Sequence, residues 1–294
     1  MISIIITAFR EPAVGRAIDA ILTQRIPEEF ELIVAAPDTE TEKLVSDYKN
    51  KFPQIRYFKD PGKGKSFALN LLFKEARGEI MIFTDGDVYF HENAVENILK
   101  CFSNENVGIA FGRPVPTNSK DSMLGYWAHL LMEAGAHSIR QERAERGEFL
   151  EGTAYLMGVR RGIIDEIPLD VAEDSMMPYL VMKKGWRIAY AGDAKVFVKS
   201  PDNFTDFVKQ RVRTAKAHET LTKYAPDFPR VKTFSNEILE GWHRALSYPK
   251  TPRELLWTLA LFPARLYIWL RVKYEHACGK RYQDAWERVE STKK

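Results

Sequence analysis

Short segments of β-branched and other apolar residues alternate with helical segments through the first third of this chain. Candidate strands occupy residues 2–8, 31–36 and 55–58, and a fourth leads into Asp85. Helical patterns fill the intervals. They open at Glu11-Pro12 and then cover residues 39–51 and 66–76. Strands alternating with helices of about 10–15 residues are typical of right-handed βαβ units. The sequence therefore predicts an α/β fold with a mostly parallel central sheet flanked by helices.

The later part of the chain predicts longer helices and shorter strands. Pro114 and Pro116 are expected to interrupt the chain after a strand at 107–111, and Gly125 and Gly135 weaken the helical pattern of 121–146. The other expected elements are helix 91–102, a strand within 151–159 that faces a ligand cleft, helix 173–184, strands 187–190 and 194–198, and helix 203–224.

Two aspartates separated by a glycine end the fourth strand, at Asp85-Gly86-Asp87. Open α/β sheets bind ligands just outside the carboxyl ends of their strands. Two neighbouring carboxylates repel each other unless a cation lies between them, and hard divalent cations bind both carboxylates and substrate phosphates. The pattern indicates a Mg²⁺ or Mn²⁺ site for a phosphorylated substrate. The alternative from these residues alone is an acidic turn with Gly86 at the bend.

Charge and cysteine content restrict the class of partner. The net charge of +3 is too small to indicate nucleic acid, and 45% hydrophobic residues are ample for a core. Cys101 and Cys278 lie far apart without metal-ligand spacing, which fits a reducing cytosol. The N-terminus enters a strand directly, so we expect no signal peptide and a cytoplasmic location.

The segment from Pro229 to Lys294 is predicted to be a helical, aromatic and basic extension. It carries 13 Lys/Arg against 7 Asp/Glu, whereas the preceding residues carry 30 against 33. Residues 255–270 are apolar except for Thr258, Pro263 and Arg265, and we expect no confident membrane span. Aromatic residues beside basic ones suit a helix in a membrane interface. The alternatives are a helix that packs on the sheet and one that packs on a second subunit, as in a homodimer.

Three further motifs have both a functional and a structural interpretation. Gly64-Lys65-Ser66 follows a strand, but Lys59 occupies the position where a phosphate-binding P-loop needs glycine. Glu173-Asp174 is either a helix-start pair stabilised by the helix dipole or a general base. The arginines of Gln210-Arg211-Val212-Arg213 either bind a diphosphate or form a solvated helix face.

Taken in order, these motifs resemble those of family 2 glycosyltransferases with the GT-A fold. The resemblance covers residue 2 to about His218 and rests on seven segments. They are Ile4-Ile5-Ile6-Thr7-Ala8-Phe9-Arg10-Glu11, Gly64-Lys65-Ser66-Phe67-Ala68-Leu69-Asn70, Asp85-Gly86-Asp87, Gly152-Thr153-Ala154 with Arg160-Arg161, Glu173-Asp174, Gly185-Trp186-Arg187-Ile188-Ala189-Tyr190 and Gln210-Arg211-Val212-Arg213-Thr214.

The resemblance implies an inverting transfer of a sugar from a nucleotide-diphosphate sugar to a glycan or lipid-linked acceptor. It implies a catalytic domain at 1–228, with a nucleotide-sugar half at 1–112 and an acceptor half at 113–228, followed by the extension at 229–294. Asp174, with Glu173 in the same motif, would supply the catalytic base, and Asp87, Asp85 and His218 would be candidate ligands of Mn²⁺ or Mg²⁺. The remaining implied substrate-binding residues are Thr7, Ala8, Phe9, Glu11, Asp38, Lys65, Asp85, Gly86, Gly152, Thr153, Gln210, Arg211 and Arg213.

Two departures from the family pattern limit what the resemblance assigns. The aspartate pair that usually reads the nucleotide base falls on Ala36 and Pro37, with Asp38 one position later, so the base is not assigned. Thr214 replaces a tryptophan that marks many processive synthases, which favours a single transfer.

The sequence leaves two rivals to sugar transfer. A degenerate glycosyltransferase that only binds or scaffolds fits the missing base-reading pair. A sugar nucleotidyltransferase would be expected to have a glycine-rich loop with arginine directly after the first strand, where this chain has Thr7-Ala8-Phe9-Arg10.

Overall fold

Eight strands form one sheet in the computed structural model, which describes residues 1–226, 228, 231, 233–279 and 289–292. The strands are β1 (Ile2–Thr7), β2 (Phe30–Ala36), β3 (Ile55–Lys59), β4 (Ile80–Asp85), β5 (Tyr89–Phe90), β6 (Val107–Pro116), β7 (Met157–Arg160) and β8 (Arg187–Val198). Their order across the sheet is β3-β2-β1-β4-β7-β6-β8-β5. The first four strands are parallel, whereas β7 is antiparallel to both of its neighbours. The expected α/β fold with a mostly parallel core is confirmed.

Helices flank the sheet on both faces. They are α1 (Val14–Leu22), α2 (Thr39–Lys49), α3 (Lys65–Glu75), α4 (Ala94–Leu99), α5 (Met123–Leu130), α6 (Ser138–Glu145), α7 (Glu173–Lys183), α8 (Phe204–Glu219), α9 (Leu221–Tyr224), α10 (Phe234–Ser247) and α11 (Pro252–Ala277). Alternate residues of β1 enter different cores, because successive side chains of a strand point to opposite faces. Ile4 and Ile6 pack in one apolar cluster and Ile5 in the other. This two-sided burial explains the nearly continuous apolar runs of β1, β2 and β4.

Strand β6 continues through Pro114 and Pro116, so the expectation that these prolines interrupt the chain was wrong. The N–H of Gly112 points to the β7 side, where it donates to the Leu156 carbonyl, and the N–H of Thr117 points to the β8 side, where it donates to Val198. Residues 114 and 116 share the orientation of residue 112, and β7 pairs with β6 only up to Phe111. The two prolines therefore remove no ladder hydrogen bond.

The expected strand at 151–159 is shorter in the structure, where only Met157–Arg160 pairs in the sheet. Arg140 donates hydrogen bonds to the carbonyl oxygens of Glu151 and Gly152, at 3.0 and 2.8 Å. These carbonyls therefore bond to a side chain instead of a neighbouring strand. The segment before β7 forms part of the cleft wall.

The two short strands expected at 187–190 and 194–198 are one strand, β8, with a register shift between its pairings to Gly112 and Arg113. The helix expected at 121–146 runs through α5, a π-helical segment at Leu131–His137 and α6. The helix expected at 203–224 is divided at Thr220 into α8 and α9.

Helices α10 and α11 pack against the preceding part of the chain. Tyr126 and Thr258 share a hydrogen bond of 2.8 Å, and Trp127 Nε1 donates to the carbonyl of Trp257 at 2.7 Å. By length and composition alone, α11 could cross a membrane, although a third of its most apolar window is buried against the protein. Within the extension, residues 229, 230, 232, 280–288 and 293–294 lie outside the described residues.

Candidate active site

A cleft of about 800 Å³ lies at the carboxyl ends of β1 and β4. These strands pair in parallel, with Thr7 opposite Asp85, so their ends meet at one edge of the sheet. The cleft then continues past α7 and α8 to α10 and α11. The predicted site residues that line it are Thr7, Ala8, Phe9, Glu11, Lys65, Asp85, Gly86, Asp87, Gly152, Thr153, Glu173, Asp174, Gln210, Arg211, Arg213 and His218.

Asp38 differs from the other predicted site residues because it does not line the cleft. Its carboxylate caps α2 by accepting from the backbone N–H and the hydroxyl of Thr41, at 2.9 and 2.7 Å. It also accepts from the backbone N–H of Arg10 at 3.1 Å. Burial on its own would raise the pKa of Asp38, but these hydrogen bonds lower it overall. The hydrogen bonds give Asp38 a structural role at the start of α2.

Asp85 is held by hydrogen bonds from two sides. Thr7 Oγ1 donates to its Oδ1 at 3.2 Å, and Lys65 Nζ lies 2.6 Å from the same oxygen. The turn that follows is tight, because a Cβ on Gly86 would lie 3.1 Å from Ala8 Cβ and 3.3 Å from Glu11 Cγ. Glycine at this position therefore lets the Asp85–Asp87 turn approach the end of β1 closely.

Lys65 connects the end of β4 to the start of α7. Its Nζ forms salt bridges with Asp85 Oδ1 at 2.6 Å and with Glu173 Oε1 at 3.0 Å. Burial on its own lowers the pKa of Lys65, but the two carboxylates outweigh burial and raise it above its usual value. Lys65 therefore carries a full positive charge between the two acidic motifs.

Asp174 and Glu173 are adjacent in sequence but occupy different environments. Glu173 is buried and bound to Lys65, whereas Asp174 is half-buried and faces the cleft. Asp174 also lies near the guanidinium of Arg140. A group that accepts a proton from substrate must reach it within hydrogen-bond distance or through one water. This difference in exposure favours Asp174 over Glu173 for that task.

His218 is buried, with 3% exposure, at the far end of α8. Its Nδ1 lies 2.6 Å from Glu151 Oε2 and also contacts the hydroxyl of Ser175. Within the described ranges, no group of three or more His, Cys, Asp or Glu side chains is arranged to hold a metal ion. These contacts tie α8 to the residue after Asp174, and they favour a positioning role for His218 over metal ligation.

Arg211 and Arg213 bring positive charge to the cleft from α8. Burial, and then the like charge of Arg265, lowers the pKa of Arg211 to about 10, so its guanidinium remains protonated at neutral pH. Its buried Nε has no hydrogen-bond partner among the residues that the structure describes. An anionic substrate group could supply that missing acceptor.

Two cleft residues were not identified from the sequence. Tyr155 lies near Asp85, Asp87, Arg211 and Arg213, and its pKa is raised by burial first and then by the two aspartates. Burial lowers the pKa of Arg140, whose side chain orders the Gly152 loop. The sequence signal for Tyr155 was its place in the segment after Gly152. The sequence signal for Arg140 was its position in a long predicted helix, which does not indicate a cleft residue.

The chain was compared with known proteins. Residues 3–167 match the family described as Glycosyl transferase family 2. The chain is 24% identical over 252 residues to the probable glycosyltransferase YdaM of Bacillus subtilis (strain 168), covering 79% of this chain and 58% of that protein. It is 22% identical over 264 residues to hyaluronan synthase of Streptococcus pyogenes, covering 82% and 61%. The chain thus spans about three fifths of the length of these relatives.

A solved structure extends the likeness to the fold. The mannosyltransferase PcManGT from Pyrobaculum calidifontis, in complex with GDP-Man and Mn²⁺, superposes with a TM-score of 0.58 at 18% identity. The superposition covers 93% of this chain and 80% of that one. At this identity the likeness shows the fold alone, and it confirms the expected GT-A architecture.

Proposed function

The chain belongs to glycosyltransferase family 2, and from this premise we propose that it transfers a sugar from a nucleotide-diphosphate sugar to an acceptor hydroxyl, with inversion of the anomeric carbon. One observation carries the proposal: a single cleft is lined by the acids after β4 and by the acid at the start of α7. Asp85 and Asp87 are suited to a divalent cation that would bind the donor diphosphate, and Asp174 is suited to the acceptor hydroxyl. A sugar lying between them would meet both kinds of group at once.

The donor diphosphate is proposed to lie across the ends of β1 and β4. Arg211 and Arg213 face this part of the cleft, and guanidinium groups bind phosphate oxygens bidentately. Lys65 adds a third positive charge beside Asp85. The donor bound to PcManGT is itself a nucleotide-diphosphate sugar, which supports this assignment.

The residues at the strand end fit a divalent cation of the Mn²⁺ or Mg²⁺ type. Their donor atoms are hard carboxylate oxygens, and such cations commonly take one or two carboxylates together with substrate phosphates. As the resemblance to the family motif implies, Asp87 is proposed as the main ligand. Asp85, whose Oδ1 is bonded to Lys65 and Thr7, is proposed to support it. When bound, the cation would supply Lewis-acid stabilisation of the negative charge on the leaving diphosphate.

Asp174 is proposed to act as the general base. Its carboxylate accepts the proton of the acceptor hydroxyl while that oxygen attacks the anomeric carbon from the face opposite the diphosphate. The new glycosidic C–O bond forms as the bond to the diphosphate oxygen breaks, which inverts the configuration. Glu173 is proposed to hold Lys65 and the start of α7 in place during this step.

Further proposals concern the whole protein. Residues 1–228 would form the catalytic domain, divided at 112, with 229–294 as an extension. The acceptor would be a glycan or a lipid-linked molecule that receives a single sugar. The protein would act in the cytoplasm at the inner face of the membrane. Formation of a homodimer is a further proposal.

A donor-hydrolysis screen in the presence of Mn²⁺ tests the proposed function. Uridine, guanosine and thymidine diphosphate sugars should be offered separately, because the base-reading positions are Ala36 and Pro37. We expect release of nucleoside diphosphate from one donor class, with loss of the signal when EDTA is added. Release of nothing from any donor by the folded protein would contradict the proposal and favour a binding or scaffold function.

A further inference from the structure

Helix α11 is apolar around its whole circumference. One face is buried against α5 and α8 and consists of Thr258, Leu261, Ala264, Ile268, Trp269 and Val272. The exposed side carries a stripe of Leu255, Leu259, Phe262, Leu266 and Leu270, which are between 40% and 58% exposed. Their spacing of three or four residues forms one continuous stripe. A helix in water normally has a polar outer face, so this stripe indicates an apolar partner.

Helix α10 widens the exposed stripe into a surface. Leu239, Trp242 and Leu246 follow the same helical spacing and are 70%, 52% and 40% exposed. We call these three side chains and the five exposed residues of α11 the apolar face. Scattered apolar residues are normal on a protein surface, but eight on two adjoining helices form a contiguous patch.

The catalytic cleft opens on the apolar face. Trp242, Phe262 and Leu266 belong to both, because they line the cleft and are also exposed on the outer surface. Leu131 and Asp174 line the same cleft. An apolar chain bound at the opening could therefore belong to the same molecule as a hydroxyl bound at Asp174.

Positive charges lie at both ends of the stripe. Lys250 and Arg253 are exposed before it, and Arg271 and Lys273 at its end. Arg253 also stacks on Trp257, at 4.7 Å from the ring centroid. Cations and aromatic rings beside an apolar helix face match the headgroup region of a bilayer that contains anionic lipids.

The acidic residues at the two ends are already bound within the protein. Glu254 accepts from the backbone N–H of Lys250 at 2.6 Å, and Glu275 is paired with Lys216 at 2.7 Å and with Arg271 at 3.0 Å. If two copies of α11 met along the stripe, in either direction, cationic ends would face cationic ends. The charges therefore favour a lipid surface over a second copy of the chain.

The contacts of α11 with the catalytic part restrict how it can meet a bilayer. They extend from the Trp257 carbonyl, which accepts from Trp127, to Glu275, which pairs with Lys216. At 1.5 Å per residue this is a length of about 27 Å. A helix held along that length by the catalytic domain lies in the plane of the interface with its outer face towards lipid.

We propose that the apolar face rests in the headgroup region of an anionic bilayer, and that the cleft opening receives from it the hydrocarbon chain of an amphiphilic acceptor. The acceptor part rests on the proposed function, since it requires sugar transfer at Asp174. The membrane part is independent of that chemistry.

Vesicle flotation tests the membrane part. The full chain is mixed with vesicles of phosphatidylcholine and phosphatidylglycerol at 3:1, or of phosphatidylcholine alone. We expect flotation with the anionic vesicles, and at least a tenfold lower bound fraction for the double variant Leu259→Glu/Leu270→Glu. Neither leucine lines the cleft. Leu169→Glu is the matched control, because Leu169 is 48% exposed outside α10 and α11 and should leave flotation unchanged.

Cross-linking tests whether a lipid acyl chain reaches the cleft opening. A phosphatidylglycerol with a photoreactive group on its acyl chain is placed in the same vesicles, and the labelled peptides are identified by mass spectrometry. We expect labels at Trp242, Phe262 or Leu266. Labels confined to other parts of the chain would overturn the proposed route for the acceptor.

Two further measurements distinguish a failure of membrane binding from a failure of the proposed function. Donor hydrolysis by Leu259→Glu/Leu270→Glu should equal that of the wild type, so lost flotation with intact hydrolysis would leave the proposed function standing. If the wild type fails to float and light scattering shows a dimer that this variant dissociates, the apolar face binds a second copy and the inference is overturned. Flotation without hydrolysis of any donor would instead refute the proposed function and, with it, the acceptor part.

Discussion

Replacing Lys65 with methionine removes the ammonium group that joins Asp85 to Glu173. The Nζ atom lies 2.6 and 3.0 Å from the two carboxylates, and the three side chains are 16%, 23% and 9% exposed. Removing one partner of a buried ion pair costs about 3–5 kcal/mol, because it leaves a buried charge uncompensated. Since Asp85 keeps some contact with water, we expect a loss of about 3 kcal/mol, near the lower end of that range.

Methionine keeps most of the apolar stem of lysine, so the loss should come from charge and not from a cavity. In a domain of this size, about 3 kcal/mol corresponds to a fall in Tm of roughly 6–12 °C. Urea unfolding and calorimetry of the ligand-free protein in EDTA would measure both quantities. Lys63→Met is the matched control: Lys63 is exposed, and its removal should change stability by no more than about 0.5 kcal/mol.

A double-mutant cycle with Glu173→Gln isolates the pair. Because residues in one ion-pair network interact, the coupling energy between the two substitutions should fall in the range of about 0.5–3 kcal/mol. If Lys65→Met loses no more stability than Lys63→Met, or if the two substitutions at Lys65 and Glu173 are additive, the connection between the two acidic motifs is refuted.

Three other perturbations have expected outcomes. Asp87→Ala should weaken Mn²⁺-dependent donor binding in calorimetry, with little change in stability; unchanged binding would remove Asp87 as the metal ligand. Gly152→Ala would place a Cβ 2.0 Å from the ring of Phe111, so urea unfolding should show a loss of about 1–3 kcal/mol or more. Burial on its own would raise the pKa of Glu31, but hydrogen bonds from the Ser3 hydroxyl at 2.6 Å, the Arg77 backbone N–H at 2.8 Å and Arg56 Nε at 3.0 Å outweigh burial and lower the pKa. The contribution of Glu31 to stability is therefore present above the unfolded pKa of about 4.3 and is lost as pH falls through the lower folded value. Glu31→Gln should therefore cost about 1.5–3 kcal/mol at pH 7, and the difference should disappear in strong acid; a difference that persists there would contradict the charge-based explanation.

The parallel half of the fold was predictable because its signal is local. Residues 2–8 and 31–36 are apolar on both sides of the strand, and the helices between the strands are periodic. The strand through Pro114 and Pro116 was not predictable. The sheet tolerates these prolines because β7 pairs with β6 only up to Phe111, and β7 lies about forty residues further along the chain. The same limit applies to Glu151 and Gly152, whose carbonyls accept hydrogen bonds from Arg140 in α6.

The ordered motifs predicted most of the cleft lining, but not how its members are connected. Nothing in the sequence indicates that Lys65 bridges Asp85 and Glu173, or that His218 contacts Ser175 and Glu151. These are long-range contacts between charged or polar groups, and they leave no periodic pattern. The sequence pattern at Asp38 fits a helix cap as well as a substrate contact. The structure places Asp38 in the role of the cap.

Sugar transfer as proposed requires Asp174 to remove the proton from the acceptor hydroxyl. The decisive measurement compares single-turnover sugar transfer by the wild type and Asp174→Asn, together with donor affinity, using the donor found in the screen. Asp165→Asn, at an exposed carboxylate outside the cleft, is the control. We expect donor affinity close to that of the wild type and a transfer rate lower by about 10²–10⁴-fold, which is the usual contribution of a positioned general base. An Asp174→Asn enzyme that keeps its full transfer rate would contradict the account.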